Sequence, residues 1–138
     1  MEPYKHIVRY YETDKMGITH HSNYIRWMEE ARIDFFDRIG WSYEKLEAEG
    51  IISPVTTIQC KYKASTTFPD EISIEVTVSE FTGVVLKLCY VMTGPDGKVV
   101  FEGSSEHCFI SGEGKLVRLK REYPEIAELL TSLAQTKQ

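Results

Sequence analysis

Residues 12–32 read ETDKMGITHHSNYIRWMEEAR. One carboxylate, Asp14, precedes a glycine, Gly17. Two adjacent histidines, His20 and His21, follow, and from Asn23 apolar side chains recur at helical spacing. An acid held before the mouth of a helix suits attack on an acyl carbon. The carboxylate can strike directly or hold a water, while the first helical turn offers unpaired N–H groups and the positive end of a dipole to the oxyanion. Gly17 lets the turn fold back and the backbone approach a ligand closely. On spacing alone, an aspartate in a polar turn is a turn former, yet Asp14 lies too far upstream to cap a helix that starts near Ser22. No G-x-S-x-G motif is present. His21 reads equally as a loop-orienting residue and as a substrate contact, and His20 reads as surface. Asp14, His20, His21 and His107 include metal-ligand types. Adjacent histidines on an extended segment point opposite ways, however, and no i,i+4 pair exists, so no metal site is expected.

The elements that must position this segment are limited by the chain's size. With 138 residues, one domain spanning 1–138 is expected, with roughly two thirds of its unfolded surface buried. The net charge of −5 argues against a nucleic-acid partner and leaves room for a small anion held by a local basic patch. The opening MEPYKHIVRYYE has no apolar run of the secretory kind. The most apolar stretch, VVLKLCYVM at 84–92, is too short to span a bilayer and carries Lys87. Cys60, Cys89 and Cys108 are an odd number without C-x-x-C spacing, which fits reduced thiols and a cytoplasmic location.

Residues 4–10 suit a short strand, and a polar turn covers 11–22. A helix is predicted over 23–39, with Ser22 as N-cap and Gly40 just past its end. Its stripe of Tyr24, Trp27, Met28, Ala31, Phe35 and Ile39 is widened by Ile25, Ile33 and Phe36, as in a helix wrapped by other structure. Glu29 and Glu30 read as a solvated or interface face. A second helix is predicted over 43–49, between Ser42 and Gly50. After Pro54 the chain turns β-rich. DEISIEVTVSE alternates cleanly, VVLKLCYVM and KVVFEGSSEHCFI follow, and GPDG at 94–97 makes a hairpin turn. Gly103 marks a bulge or a close backbone approach. His107 runs in phase with Phe101 and Phe109, as a core histidine or as a wall of an acyl pocket. A surface helix is predicted over 122–134. One strand, one long helix and then a meander give an α+β fold, a curled antiparallel sheet wrapped around one long central helix.

The segment RYYETDKMGITHHSNYIRWMEEAR resembles the active-site motif of the hot-dog acyl-CoA thioesterases of the 4-hydroxybenzoyl-CoA thioesterase type, a branch that includes the Tol-Pal-associated thioesterases. The motif positions fall on Asp14, Gly17, His21, Asn23 and Tyr24, and the likeness extends over almost the whole chain. It implies a hot-dog fold, hydrolysis of acyl-CoA thioesters and sites at a subunit interface. It further implies that Asp14 is the catalytic carboxylate, as nucleophile or as general base, with the backbone N–H at His21 facing the thioester carbonyl. Coenzyme A is then part of the substrate, and no separate cofactor is expected.

Its phosphates need cations. Lys61 and Lys63 form one candidate group. Lys115, Arg118, Lys120 and Arg121 form another, with Arg118 suited to bidentate contact. A homodimer or homotetramer is expected, because one helix covers only part of a sheet and KVVFEGSSEHCFI has little to protect it as an edge. Two rival readings are a hot-dog enoyl-CoA hydratase and a non-catalytic acyl-thioester-binding subunit. The hydratases carry Asp-x-Asn-Pro-x-His, and here KMGITHH follows Asp14 without that Asn-Pro.

Overall fold

Strand β1 (Tyr4–Ile7) ends three residues before the predicted limit. The reason is local. The Glu12 carboxylate accepts a hydrogen bond from the Arg9 N–H at 2.7 Å and draws Tyr10–Glu12 into a single 3-10 turn. The computed structural model describes residues 1–136. Helix α1 (Ser22–Arg38) follows the turn. Ser22 is its first helical residue and not its N-cap; His21 holds the cap position without a side-chain hydrogen bond. At the other end Gly40 adopts φ +88°, the left-handed conformation predicted for it. Helix α2 (Tyr43–Ala48) starts as expected, with Ser42 Oγ accepting from Lys45 N–H at 3.1 Å.

The β-rich half forms β2 (Ile51–Ile52), β3 (Val55–Tyr62), β4 (Glu71–Phe81), β5 (Leu86–Thr93), β6 (Val99–His107) and β7 (Ile110–Ser111). Five strands make one antiparallel sheet in the order β1-β4-β5-β6-β3, and β2 pairs with β7. The edge expectation needs correction here. The strand from KVVFEGSSEHCFI lies inside the sheet between β5 and β3, so the edges are β1 and β3. The helix predicted over 122–134 is α4 (Pro124–Gln135), and a short helix that was not predicted, α3 (Leu119–Glu122), precedes it. Pro124 explains the break, since it lacks an N–H and its fixed φ suits a first helical turn.

Helix α1 packs against β1 and β4. Its Tyr24, Trp27, Met28, Ala31, Phe35 and Phe36 are buried with Ile72 and Ile74 of β4 and with Leu88, Tyr90 and Met92 of β5. Each large side chain so buried contributes on the order of 2 kcal/mol. Ile25 and Ile33 remain exposed. The expected α+β architecture, an antiparallel sheet packed around one long helix, is thus present, with the face of Ile25 and Ile33 left outside the contact.

Arg32 lies in phase with Met28 and Phe35 and is buried with them. Its guanidinium donates to the Tyr43 and Tyr90 hydroxyls, each at 3.0 Å. Tyr90 continues through Ser105 Oγ to His107 Nε2, both links 2.7 Å. Gly103 marks a close approach. A Cβ there would stand 2.7 Å from the Phe101 ring and 2.9 Å from the Gln59 carbonyl oxygen.

Candidate active site

Residues 13–19 form a hairpin closed by a Thr13–Thr19 bridge. Asp14 N–H donates to Ile18 O at 2.9 Å, and Gly17 N–H donates back to Asp14 O at 2.9 Å. Gly17 has φ +79°, which a side chain would strain. The hairpin is seated on the segment leading into β4. Thr19 N–H donates to Thr66 O at 2.8 Å, and Thr67 Oγ1 donates to Gly17 O at 2.7 Å. Asp14 is half-buried. Its Oδ1 accepts from Met16 N–H at 2.8 Å, and among the described residues Oδ2 has no partner.

The second arm of the hairpin leads directly into α1. His20 N–H donates to Glu12 O at 2.8 Å, and Asn23 Nδ2 donates to the same oxygen at 2.9 Å. His20 Nδ1 accepts from the Ser22 N–H at 3.2 Å and faces Ser22 Oγ at 2.9 Å. The imidazole thus occupies the role expected of the Ser22 hydroxyl. His20 and His21 stack with ring centroids 4.3 Å apart, and so do not point opposite ways as an extended segment would have them, because the chain is already turning into α1 at His21. The His21 carbonyl accepts from Tyr62 OH at 3.1 Å. The His21 N–H has no acceptor among the described residues. Among the described residues one Asp14 carboxylate oxygen and the His21 N–H are thus both left without a partner, an acceptor and a donor of the kinds that addition to an acyl carbonyl uses.

The structure gathers Asp14, Gly17, His21 and Asn23 around this hairpin. Tyr62 reaches the helix mouth, but Lys61 and Lys63 alternate with it and share the opposite face of the strand with Glu102, to which Lys63 is paired at 2.9 Å. Tyr24 is placed differently from a substrate contact. It is buried, its hydroxyl engages Thr66 Oγ1 at 2.9 Å, and its ring stacks on Phe101. His107 pairs across the sheet with Val55, at the far end of β3 from Tyr62. That is six positions along β6 from Phe101, about 20 Å, so His107 is a core histidine and not a wall at the helix mouth. Arg118 lies at the other end of the molecule. Its neighbour Leu119 donates to Gly83 O beyond β4, while the Asp14 hairpin sits before β4 begins. Eleven residues of β4 separate the two ends, about 35 Å. Arg118 and Asp14 of one chain therefore do not share a site.

Two buried groups escaped the sequence reading. Arg32 could have been found from its phase in the α1 stripe. Glu12 carries no comparable signal. Its carboxylate is buried and accepts from Arg9 N–H, from His6 Nε2 at 2.9 Å and from Trp27 Nε1 at 2.8 Å. Burial pushes its pKa up, but the three hydrogen bonds and the nearby His6 more than offset this and hold it below the usual value. His6 Nδ1 continues to Glu30 Oε1 at 3.1 Å, which also accepts from Tyr4 OH at 2.8 Å. Glu30 is thus a link in a network and not a freely solvated side chain.

Comparison with known proteins places this architecture among the hot-dog thioester hydrolases. A DHNA-CoA thioesterase from Staphylococcus aureus superposes with a TM-score of 0.90 at 34% identity, over 97% of this chain and 90% of that one. A 1,4-dihydroxy-2-naphthoyl-CoA thioesterase from Synechocystis shares the fold at 14% identity, with a TM-score of 0.83 over 99% and 98% of the two chains. The Bacillus subtilis protein named "Putative acyl-CoA thioesterase YneP" is 29% identical over 119 residues, 86% of each chain. The chain belongs to the thioesterase-like superfamily, whose family model matches residues 8–133.

Proposed function

We propose that the protein hydrolyses acyl-CoA thioesters to a free acid and coenzyme A, with Asp14 as the catalytic carboxylate. The observation that supports this reading is that one Asp14 oxygen and the His21 N–H at the start of α1 both lack a partner among the described residues, on the one hairpin that leads into the helix. As general base, Asp14 takes a proton from water, and the hydroxide adds to the thioester carbonyl. The oxyanion is held by the His21 N–H and the helix dipole. Collapse expels the coenzyme A thiolate, which recovers the proton. As nucleophile, Asp14 itself adds and expels the thiolate, and water then opens the mixed anhydride. A single turnover in 18O-water separates the two routes, because only the anhydride route can leave label in Asp14.

Gly17 and Asn23 shape the hairpin, and a role for Lys61 and Lys63 in holding substrate phosphates would be played from the other face of β3, where Lys63 pairs with Glu102. A role for Arg118 requires a second subunit, in keeping with a site shared across a homodimer or homotetramer. The likeness to the S. aureus enzyme makes aromatic acyl-CoAs the first substrates to assay, beside straight-chain ones.

The test is Asp14→Ala on the best substrate of that panel, followed by release of free thiol. The expected result is a fall in kcat of about a thousandfold or more with an unchanged thermal midpoint, because a half-exposed turn side chain contributes little to the core. Activity within a few-fold of the parent would remove Asp14 from the mechanism.

A further inference from the structure

Glu12 stands where three parts of the chain meet. Its carboxylate ties the Arg9 N–H, His6 of β1 and Trp27 of α1 together, while its carbonyl oxygen receives His20 N–H and Asn23 Nδ2. The next residue, Thr13, opens the hairpin by pairing with Thr19. Both arms of the hairpin that carries Asp14 are therefore tied to β1 and α1 through this one residue, while Thr66 and Thr67 hold its Thr19 and Gly17 from the side of β4. The carboxylate fixes the entering arm to β1 and α1, and the carbonyl fixes the leaving arm to α1. Asp14 itself has only local backbone contacts in the turn, to Met16, Gly17 and Ile18. Its position relative to α1 therefore depends on the anchors of the hairpin, of which Glu12, two positions before it, is the one that reaches both β1 and α1.

We infer that Glu12 is a positioning residue of the site, the junction that sets the Asp14 hairpin relative to the start of α1. The inference rests on Asp14 being the catalytic carboxylate. A carboxylate is the side chain this junction demands. It offers one oxygen to Arg9 N–H and His6 and the other to Trp27. A glutamine of the same shape has only one accepting oxygen; its NH2 group would face an N–H donor on one side or the other. In a buried position that mismatch cannot be relieved by water.

Glu12→Gln separates aim from fold. Amide hydrogen exchange would be followed at Met16, Gly17, Thr19 and His20, with Leu88 and Tyr90 of β5 as the internal reference for global opening. The expected result is exchange faster by about tenfold or more in the hairpin only, with kcat down by about ten- to a hundredfold and KM within about threefold. Trp27→Phe keeps an aromatic ring, although a smaller one, and removes the Nε1–H donor. It should give a smaller effect of the same kind, and it serves if Glu12→Gln does not fold. Unchanged hairpin exchange, or an equal rise at Leu88 and Tyr90, overturns the inference and leaves Glu12 as a packing residue. Faster hairpin exchange with unchanged kcat overturns the link to catalysis. Asp14→Ala, assayed alongside, shows whether that failure belongs to Asp14 itself, since the exchange measurement does not depend on activity.

Discussion

Glu12 and Asp14 are two carboxylates two residues apart with opposite fates. The first is buried and fully engaged, and the second keeps an oxygen free. Nothing in the string ETD distinguishes them, because the partners of Glu12 lie on β1 and α1 and are met only after folding. His107 shows the same dependence on context. Its phase with Phe101 placed it on the inner face of β6, but its distance from the helix mouth required the register of the sheet. Burial, and then the charge of Arg32, lowers its pKa from 6.5 to about 4. The unfolded chain therefore binds a proton that the folded chain refuses. The stability from this group is complete above about pH 6.5 and is lost as pH falls toward 4, on the order of 3 kcal/mol in all. Thermal midpoints measured across pH 7 to 4 should fall in the parent, and His107→Gln should flatten the curve over that range. A further acid loss, below the ordinary carboxylate range, belongs to Glu12 and should persist in the variant.

At the scale of elements, the clean alternation of β4, the capped start of α2 and the glycine after α1 were all readable, because each follows from local chemistry. The breaks between elements were less readable. The end of β1 depends on a buried side chain, and the two-residue β2–β7 pair joins segments nearly sixty residues apart. Gly103 is the sharpest case of an element shaped by one position. The Phe101 ring folds back over it, and the same ring stacks on Tyr24 of α1. Gly103→Ala would force ring or strand to move and should cost about 1–3 kcal/mol. Thermal melting should show a midpoint several degrees lower, and near-UV circular dichroism should show an altered aromatic environment around Tyr24 and Tyr62.

For the whole molecule, the sheet order carries the most weight. β3 is an eight-residue edge whose Val55 and Tyr62 are exposed, and Tyr62 reaches the His21 carbonyl at the helix mouth. A second copy docked along β3 would cover that edge and border the proposed site. Light scattering at micromolar concentration should give at least twice the 15.9 kDa chain mass, and specific activity should fall when dilution separates the copies. A fully active monomer would refute both the assembly and the shared site. The two edges are also unequal. β1 offers four residues, carries Lys5 and follows Pro3, features that discourage pairing. Joining β3 to β3 uses up both long edges and ends growth at one partner. Joining β3 to β1 would leave one edge of each kind on every product and let a filament extend without limit. By making one edge long and the other short and guarded, the fold favours the union that terminates itself.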